Sequence, residues 1–356
     1  MNSYRDYTWD VVRGIGILMV VLGHCAPRPL VDFVYLFHMG LFFFVSGYFL
    51  KITDNGSFLE NEKKYIKRKL RTLWLPFVIF TLFILGLQDF FVNHYMAEIR
   101  YPGLEGVKMA IMVLGFKQVD NPILCPIWFL KSLFFSCILV YTIMLWIRKE
   151  KFRLLFFVAL YAMVTVLQNL NFPLPTAIFR ELIVTFIIYM GFVACKYKVV
   201  QKWGGTVWLL LLSFLLLMLT SKFIRIDVMS ATFSYPLVFP LMTVIGIIFT
   251  YNLSRVIMKV LPKLSEILQY LGKNSLYILL LHVLGFKIVS VFLVWHYGLN
   301  ADTSKNLYDM VIRDYVGDYW WIVYTLVGVI FSLGVMKVIS LIKIKNKYYY
   351  KFITVQ

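Results

Sequence analysis

The sequence predicts an all-α fold, a polytopic transmembrane bundle of about ten helices, and three observations carry that prediction. Hydrophobic residues make up 61% of the chain and charged residues only 15%, with a mean hydropathy of +0.78, a balance far from that of a soluble domain. Apolar runs recur from end to end, each close to the ~20 residues that cross ~30 Å of hydrocarbon as a helix. The runs are apolar on all sides rather than alternating, which excludes a transmembrane barrel and leaves helices to satisfy the backbone in lipid.

The predicted spans are residues 11–26, 31–50, 72–91, 127–147, 154–170, 177–195, 206–221, 233–253, 274–293 and 320–342. The first carries Arg13 near one end and His24 near the other. The second opens close to His38 and sets Ser46 beside Gly47, a small pair that suits close helix packing. A basic stretch, 51–71, leads into the third. Residues 92–126 are too long for a tight turn, and their "VKMAIMVLGF" fits either a short re-entrant or interfacial helix or an ordered loop. The fourth span holds Lys131, which either snorkels outward or pairs with Glu181 in the sixth. The ninth is announced by "GKNS", where Asn274 or Ser275 caps the helix, and it puts Ser275 and His282 on one face.

The formal charge of +18 invites a nucleic-acid reading, but the distribution argues otherwise. Lys and Arg gather in alternate connections, at 51–71, 148–153, 196–202, 255–273 and 343–351, while the intervening ones hold scattered residues such as Arg28, Arg100 and Arg180. That asymmetry is the positive-inside pattern, reinforced by anionic lipid head groups, so membrane lipids and not nucleic acid are the expected partners. Both termini are then expected in the cytoplasm. The first span contains Arg13, lacks a small-residue cleavage site and is expected to stay as an anchor. Cys25, Cys125, Cys137 and Cys195 show no metal-type spacing, so no metal is expected. No repeat or linker marks a second domain, and residues 1–356 read as one integral membrane domain.

From Arg13 to His24 is eleven residues, about three helical turns and roughly 16 Å, so the two side chains share a face. Asp10 falls near the same stripe. A lipid-facing arginine costs on the order of 2.5–3.5 kcal/mol, so the stripe is expected to face protein or a water-filled cavity. An imidazole there is available as a base near neutral pH, or as a nucleophile that is itself acylated. Arginine, always charged and forked, suits phosphate or a developing oxyanion. As isolated residues, Arg13 reads equally as a snorkelling anchor and His24 as a packing residue.

The run "WDVVRGIGILMVVLGHC" resembles the first-span signature of the acyltransferase-3 family of integral membrane acyltransferases, in which a basic residue, ten intervening residues and a histidine recur. "FHMGLFFFVSGYFL" is similar to its second-span motif, particularly in the branch of fucose 4-O-acetylases, and "YIKRKLRTLWLPF" to its basic approach to the third span. "IWFL", "YMGF" and "LGKNSLYILLLH" follow in the family's order. The resemblance implies a ten-helix membrane enzyme, in a bacterial cytoplasmic membrane, that uses acyl-CoA, most often acetyl-CoA, to O-acylate a sugar of a surface polysaccharide or its lipid-linked precursor. It gives the catalytic role to His24 with Arg13 as companion, and places Arg68 and Arg71 on the donor side.

Asp10, His38 and His282 are the remaining polar residues expected to meet substrate, His38 being close in sequence to His24. As plain structure, His38 reads as an interfacial histidine and the lysines and arginines of 51–71 as topology signals. Asp10 lies too far along the helix to orient the His24 ring, which leaves that imidazole without an assigned partner. No hydrolase-like domain follows the membrane unit. Two rival readings stand beside the enzyme: a glycan transporter or flippase, which also lines an interior path with charge, and a scaffold of a polysaccharide assembly.

Overall fold

The computed structural model describes residues 6–52, 56–231, 237–299, 307, 309–312 and 317–344. They are 79% helix, with no strand among them. In chain order the helices are α1 (Thr8–Cys25), α2 (Arg28–Tyr35), α3 (His38–Tyr48), α4 (Phe58–Lys69), α5 (Leu75–Gly86), α6 (Gln88–Asn93), α7 (Gly103–Leu114), α8 (Trp128–Trp146), α9 (Glu150–Asn169), α10 (Thr176–Lys196), α11 (Val199–Trp203), α12 (Val207–Thr220), α13 (Val238–Val260), α14 (Pro262–Lys273), α15 (Ser275–His296) and α16 (Trp321–Ile344).

Nine stretches among the described residues are long and apolar enough to cross a membrane, and the chain is an integral membrane protein. The seventh predicted span is α12, whose 14 residues reach only about 21 Å, short of the ~30 Å hydrocarbon core. The eighth differs at its C-terminal end. Its helix runs Val238–Val260, beyond the expected end at 253, and the expected start at 233 lies outside the described residues. Within 92–126, α7 makes most of "VKMAIMVLGF" helical and not an ordered loop. Arg180 belongs to α10 and is buried, not to a loop, because its guanidinium finds Ser132 Oγ at 2.7 Å and the Met229 carbonyl at 2.8 Å.

Local chemistry sets the helix ends. Ser57 and Glu60 form a reciprocal capping box that starts α4. Between α4 and α5 the helix widens into a π turn over Leu70–Trp74. Pro76 follows directly; it has no N–H for the Thr72 carbonyl and its ring would collide with that carbonyl in a regular helix, which the wider turn relieves. A 3₁₀ turn, Pro122–Ile127, precedes α8, its first turn held by Asn121, whose side chain accepts the Ile123 N–H at 2.9 Å. Asn274 interrupts the helix between α14 and α15 without a side-chain cap bond.

The described helices fall into two compact units. One holds residues 1–20, 28–73 and 129–273, and its centre is the contact of α3 with α10. A Cβ on Gly47 would sit 1.8 Å from the Ile188 carbonyl oxygen, and one on Gly191 would sit 2.0 Å from that of Phe44. The two backbones touch only because both positions lack a side chain. The Ser46 hydroxyl turns back onto its own helix, donating to the Phe42 carbonyl at 2.8 Å, in keeping with a packing residue. The other unit holds 21–27, 74–128 and 274–356. There α15 and α16 pair antiparallel, Gly285 against Gly328 and Ser290 Oγ against the Tyr324 hydroxyl at 2.9 Å. Trp74 Nε1 donates to the Leu114 carbonyl at 2.8 Å, tying α7 to α5.

Replacing Gly47 by Val is expected to force α3 from α10 and cost about 1–3 kcal/mol or more. Replacing Gly86, with nothing within 4 Å of its Cβ direction, is expected to leave stability near wild type. Thermal unfolding in detergent reads both; equal melting points for the two variants would contradict the close contact.

Candidate functional site

The apolar window of α1 is 78% buried, whereas those of α9 and α16 are 22% buried, and on α1 Arg13 and His24 themselves are half-buried. Along that helix the two candidate residues meet different surroundings. Arg13 lies in the first unit and His24 in the second, the boundary falling after Val20.

In the first unit, Arg13 Nη2 donates to Asp10 Oδ1 at 3.1 Å, one turn back on α1. The Asp10 side chain is 3% exposed, and the guanidinium lies 5.4 Å from the Phe49 ring centroid. Asp10 therefore stands as the partner of Arg13. The surrounding wall is aromatic: Trp9 lies 4.1 Å from Tyr48 and 5.3 Å from Tyr251, centroid to centroid. Backbone contact fixes this end of the helix against α14, since a Cβ on Gly14 would fall 2.0 Å from the Leu268 carbonyl oxygen and one on Gly272 would fall 1.9 Å from that of Asp10.

In the second unit, the half-buried His24 ring stacks on His282 of α15, with centroids 5.4 Å apart and planes at 27°. His282 is fully buried. Its Nδ1 lies 2.8 Å from the Ile278 carbonyl oxygen. A carbonyl only accepts, so Nδ1 carries the hydrogen and Nε2 is left as an acceptor. That Nε2 has no hydrogen-bond partner among the described residues. Two unit charges at the ring separation of 5.4 Å repel by about 3 kcal/mol at an effective dielectric of about 20, which disfavours charging both rings at once. Phe286 meets the other side of His282 edge-on, and Cys25, next to His24, lies 3.2 Å from Thr325 Oγ1 at the start of α16. The arrangement is a pair of stacked imidazoles in which one ring is fixed in tautomer and orientation and can take a hydrogen from an N–H or O–H group.

His38, the sequence candidate nearest to His24, lies instead in the first unit. Its Nδ1 is 2.7 Å from the Val34 carbonyl oxygen and its ring rests 5.0 Å from Tyr35, whose far contact is the Arg225 guanidinium. Glu181 has Arg180 at 3.8 Å and also feels the charge of Lys131. Arg68 and Arg71 are both exposed. Arg68 covers the Tyr65 ring at 4.9 Å, and Tyr65 is stacked flat on Tyr141 at 3.9 Å, which anchors α4 to α8 together with the Thr142 hydroxyl donated to Glu62 at 2.6 Å. Arg71 sits on the π turn. Exposed guanidinium groups beside Lys63, Lys64 and Lys67 suit phosphate. Among the described residues no three of His, Cys, Asp or Glu stand close enough to hold a metal ion.

The His24–His282 contact is the feature that sequence reasoning missed. His282 was expected near substrate and His24 was left without a partner, because the first and ninth spans give no local sign of meeting. One signal was present: a histidine inside an apolar span must find protein, and the chain has few such histidines to pair.

A search of curated proteins and a search of solved structures both returned no match. A family model, that of the acyltransferase-3 family and described as "Acyltransferase domain", matches residues 6–341, which contain both halves of the histidine pair and the Asp10–Arg13 pair. The chain therefore belongs to the acyltransferase-3 family of membrane acyltransferases.

Proposed function

We propose that this acyltransferase moves an acetyl or other short acyl group from acyl-CoA to a sugar hydroxyl of a cell-surface polysaccharide or its lipid-linked precursor, in the manner of the fucose 4-O-acetylases. The observation that carries the reading is the stacked pair of His24 and His282, an oriented imidazole couple within the membrane-embedded helices of a chain in an acyltransferase family. His24 is the general base. As the sugar oxygen attacks the thioester carbonyl, His24 takes its proton; the tetrahedral intermediate collapses, the C–S bond breaks, and the proton passes to the departing CoA thiolate. His282 is the positioning residue. Its fixed ring sets the plane of His24, and the charge that develops on His24 during the transfer stays single because the neighbour does not take a second proton.

The exposed Arg68 and Arg71 bind the phosphates of CoA, aided by the π turn that holds Arg71 in place. Arg13, carried on the same helix as His24 and held by Asp10, is the further cationic group on the acyl path. His38, with Tyr35 and Arg225, belongs to the acceptor side. The basic connections face the cytoplasm of a bacterial inner membrane, both termini lie there with them, and the whole chain works as one membrane domain.

Purified protein is expected to release CoA from acetyl-CoA in the presence of a sugar acceptor. His24→Ala is expected to lower kcat by about 10²–10⁴-fold. His282→Phe keeps a ring but removes both nitrogens; kcat is expected to fall by about 100-fold while KM for acetyl-CoA holds. Unchanged turnover in both variants, or glycan transport without CoA release, overturns the reading in favour of a transporter. An acyl group trapped on the His24 peptide after rapid quenching would replace the general-base step with an acyl-histidine.

Arg13→Met removes the ion pair of a buried carboxylate and is expected to cost about 3–5 kcal/mol in stability. The double variant Asp10→Asn with Arg13→Met is expected to regain most of that stability and none of the activity. Recovery of activity in the double variant would make Arg13 a structural residue only. Thermal unfolding and CoA release, measured on the same preparations, separate the two.

A further inference from the structure

The first unit contains a half-enclosed cavity of about 240 Å³ that takes no part in the chemistry above. Its wall is built from α3, α9, α10, α11 and α13, with Phe44, Phe186, Tyr189, Trp203, Ile247 and Tyr251 among the lining side chains. The amide on it, that of Asn252, is already occupied. Asn252 Oδ1 accepts the N–H groups of Gly205 and Thr206 at 2.8 and 3.1 Å, and its Nδ2 donates to the Ile248 carbonyl at 2.8 Å. The Tyr189 ring is stacked on Phe157 at 4.3 Å. A cavity so lined offers a guest hydrocarbon contact and little else.

Charge gives the direction of that guest. Lys198 immediately precedes the lining residue Val199, Lys202 precedes Trp203, and Arg255 follows Asn252 by one helical turn; all three cations are exposed. Of the carboxylates nearby, Glu150 is taken up by Lys196 and by the Tyr197 hydroxyl at 2.6 Å, and Asp6, which acts on Tyr251 beside Arg255, accepts the Thr8 N–H at 3.0 Å. Farther from these cations along α10 and α13, Phe186 and Val244 are purely apolar, as is Phe44 on α3. Apolar depth with a basic rim fits an amphiphile that has a hydrocarbon tail and an anionic head.

We propose that this cavity binds one acyl chain of an anionic bilayer phospholipid, with the phosphate held by Lys198, Lys202 and Arg255. The site is separate from the histidine pair, and the bound chain braces α10 against α13 where side chains do not fill the space between them.

Native mass spectrometry of the full-length protein in mild detergent tests this, with phosphatidylglycerol and phosphatidylcholine as probes. One phosphatidylglycerol is expected to survive detergent exchange that strips phosphatidylcholine. Ala194→Phe, which fills the cavity, is expected to abolish retention, and Lys202→Gln and Arg255→Gln are each expected to weaken it by about fivefold. The rim variants alter exposed side chains and decide the matter even where Ala194→Phe fails to fold. No retained lipid, equal retention of phosphatidylcholine, preference for a polyprenyl phosphate, or rim variants that hold phosphatidylglycerol like wild type would overturn the proposal.

Discussion

The hydrogen bond between His282 Nδ1 and the Ile278 carbonyl is the constraint from which the candidate site follows. It lies within one turn of α15, so it forms wherever that helix forms and needs nothing from elsewhere in the chain. It decides the tautomer, fixes the ring plane and turns the acceptor nitrogen away from its own backbone. A buried acceptor without a donor costs about 1–3 kcal/mol, a cost that structural groups avoid and reacting groups tolerate. The stacked His24 ring gives that nitrogen a context: a second imidazole, less buried, on a helix that is largely enclosed by protein.

Other polar side chains in the spans show by contrast what an inert group looks like in lipid. Ser46, Thr243, Thr250, Ser254 and Ser332 each donate to the carbonyl four residues earlier, and their hydroxyls close on their own helices. Histidine makes the same local bond but has a second nitrogen left over. Arg180 shows another way to keep charge within the membrane domain, using Ser132, the Met229 carbonyl and Glu181. Glycine supplies the remaining order. Backbones in contact at Gly47 with Ile188 and at Gly14 with Leu268 hold the first unit together where there is no water to drive apolar association.

Much of the fold was legible because lipid imposes a length and a polarity that can be read directly along the chain. The departures came where local chemistry overrides hydropathy. The π turn accommodates Pro76, so the helical stretch runs Phe58–Gly86 and starts before the apolar run expected at 72. The end of α13 at Val260 extends past Arg255 because the helix continues beyond the apolar run. The spacing of Arg13 and His24 announced a shared helix face, and the structure supplies Asp10 for the arginine. It could not announce His282, since a contact between two helices far apart in sequence leaves no periodicity in either. His38, close in sequence to His24, has the Val34 carbonyl and the Tyr35 ring beside it in the first unit.

Nitrogen NMR of the protein labelled with ¹⁵N-histidine, with His282 assigned by loss of its signals in a His282→Gln variant, tests the account most directly. The account predicts a neutral His282 ring with hydrogen on Nδ1, a bare Nε2, and magnetisation transfer between the His24 and His282 rings. A hydrogen on Nε2, or rings that show no contact, would contradict it.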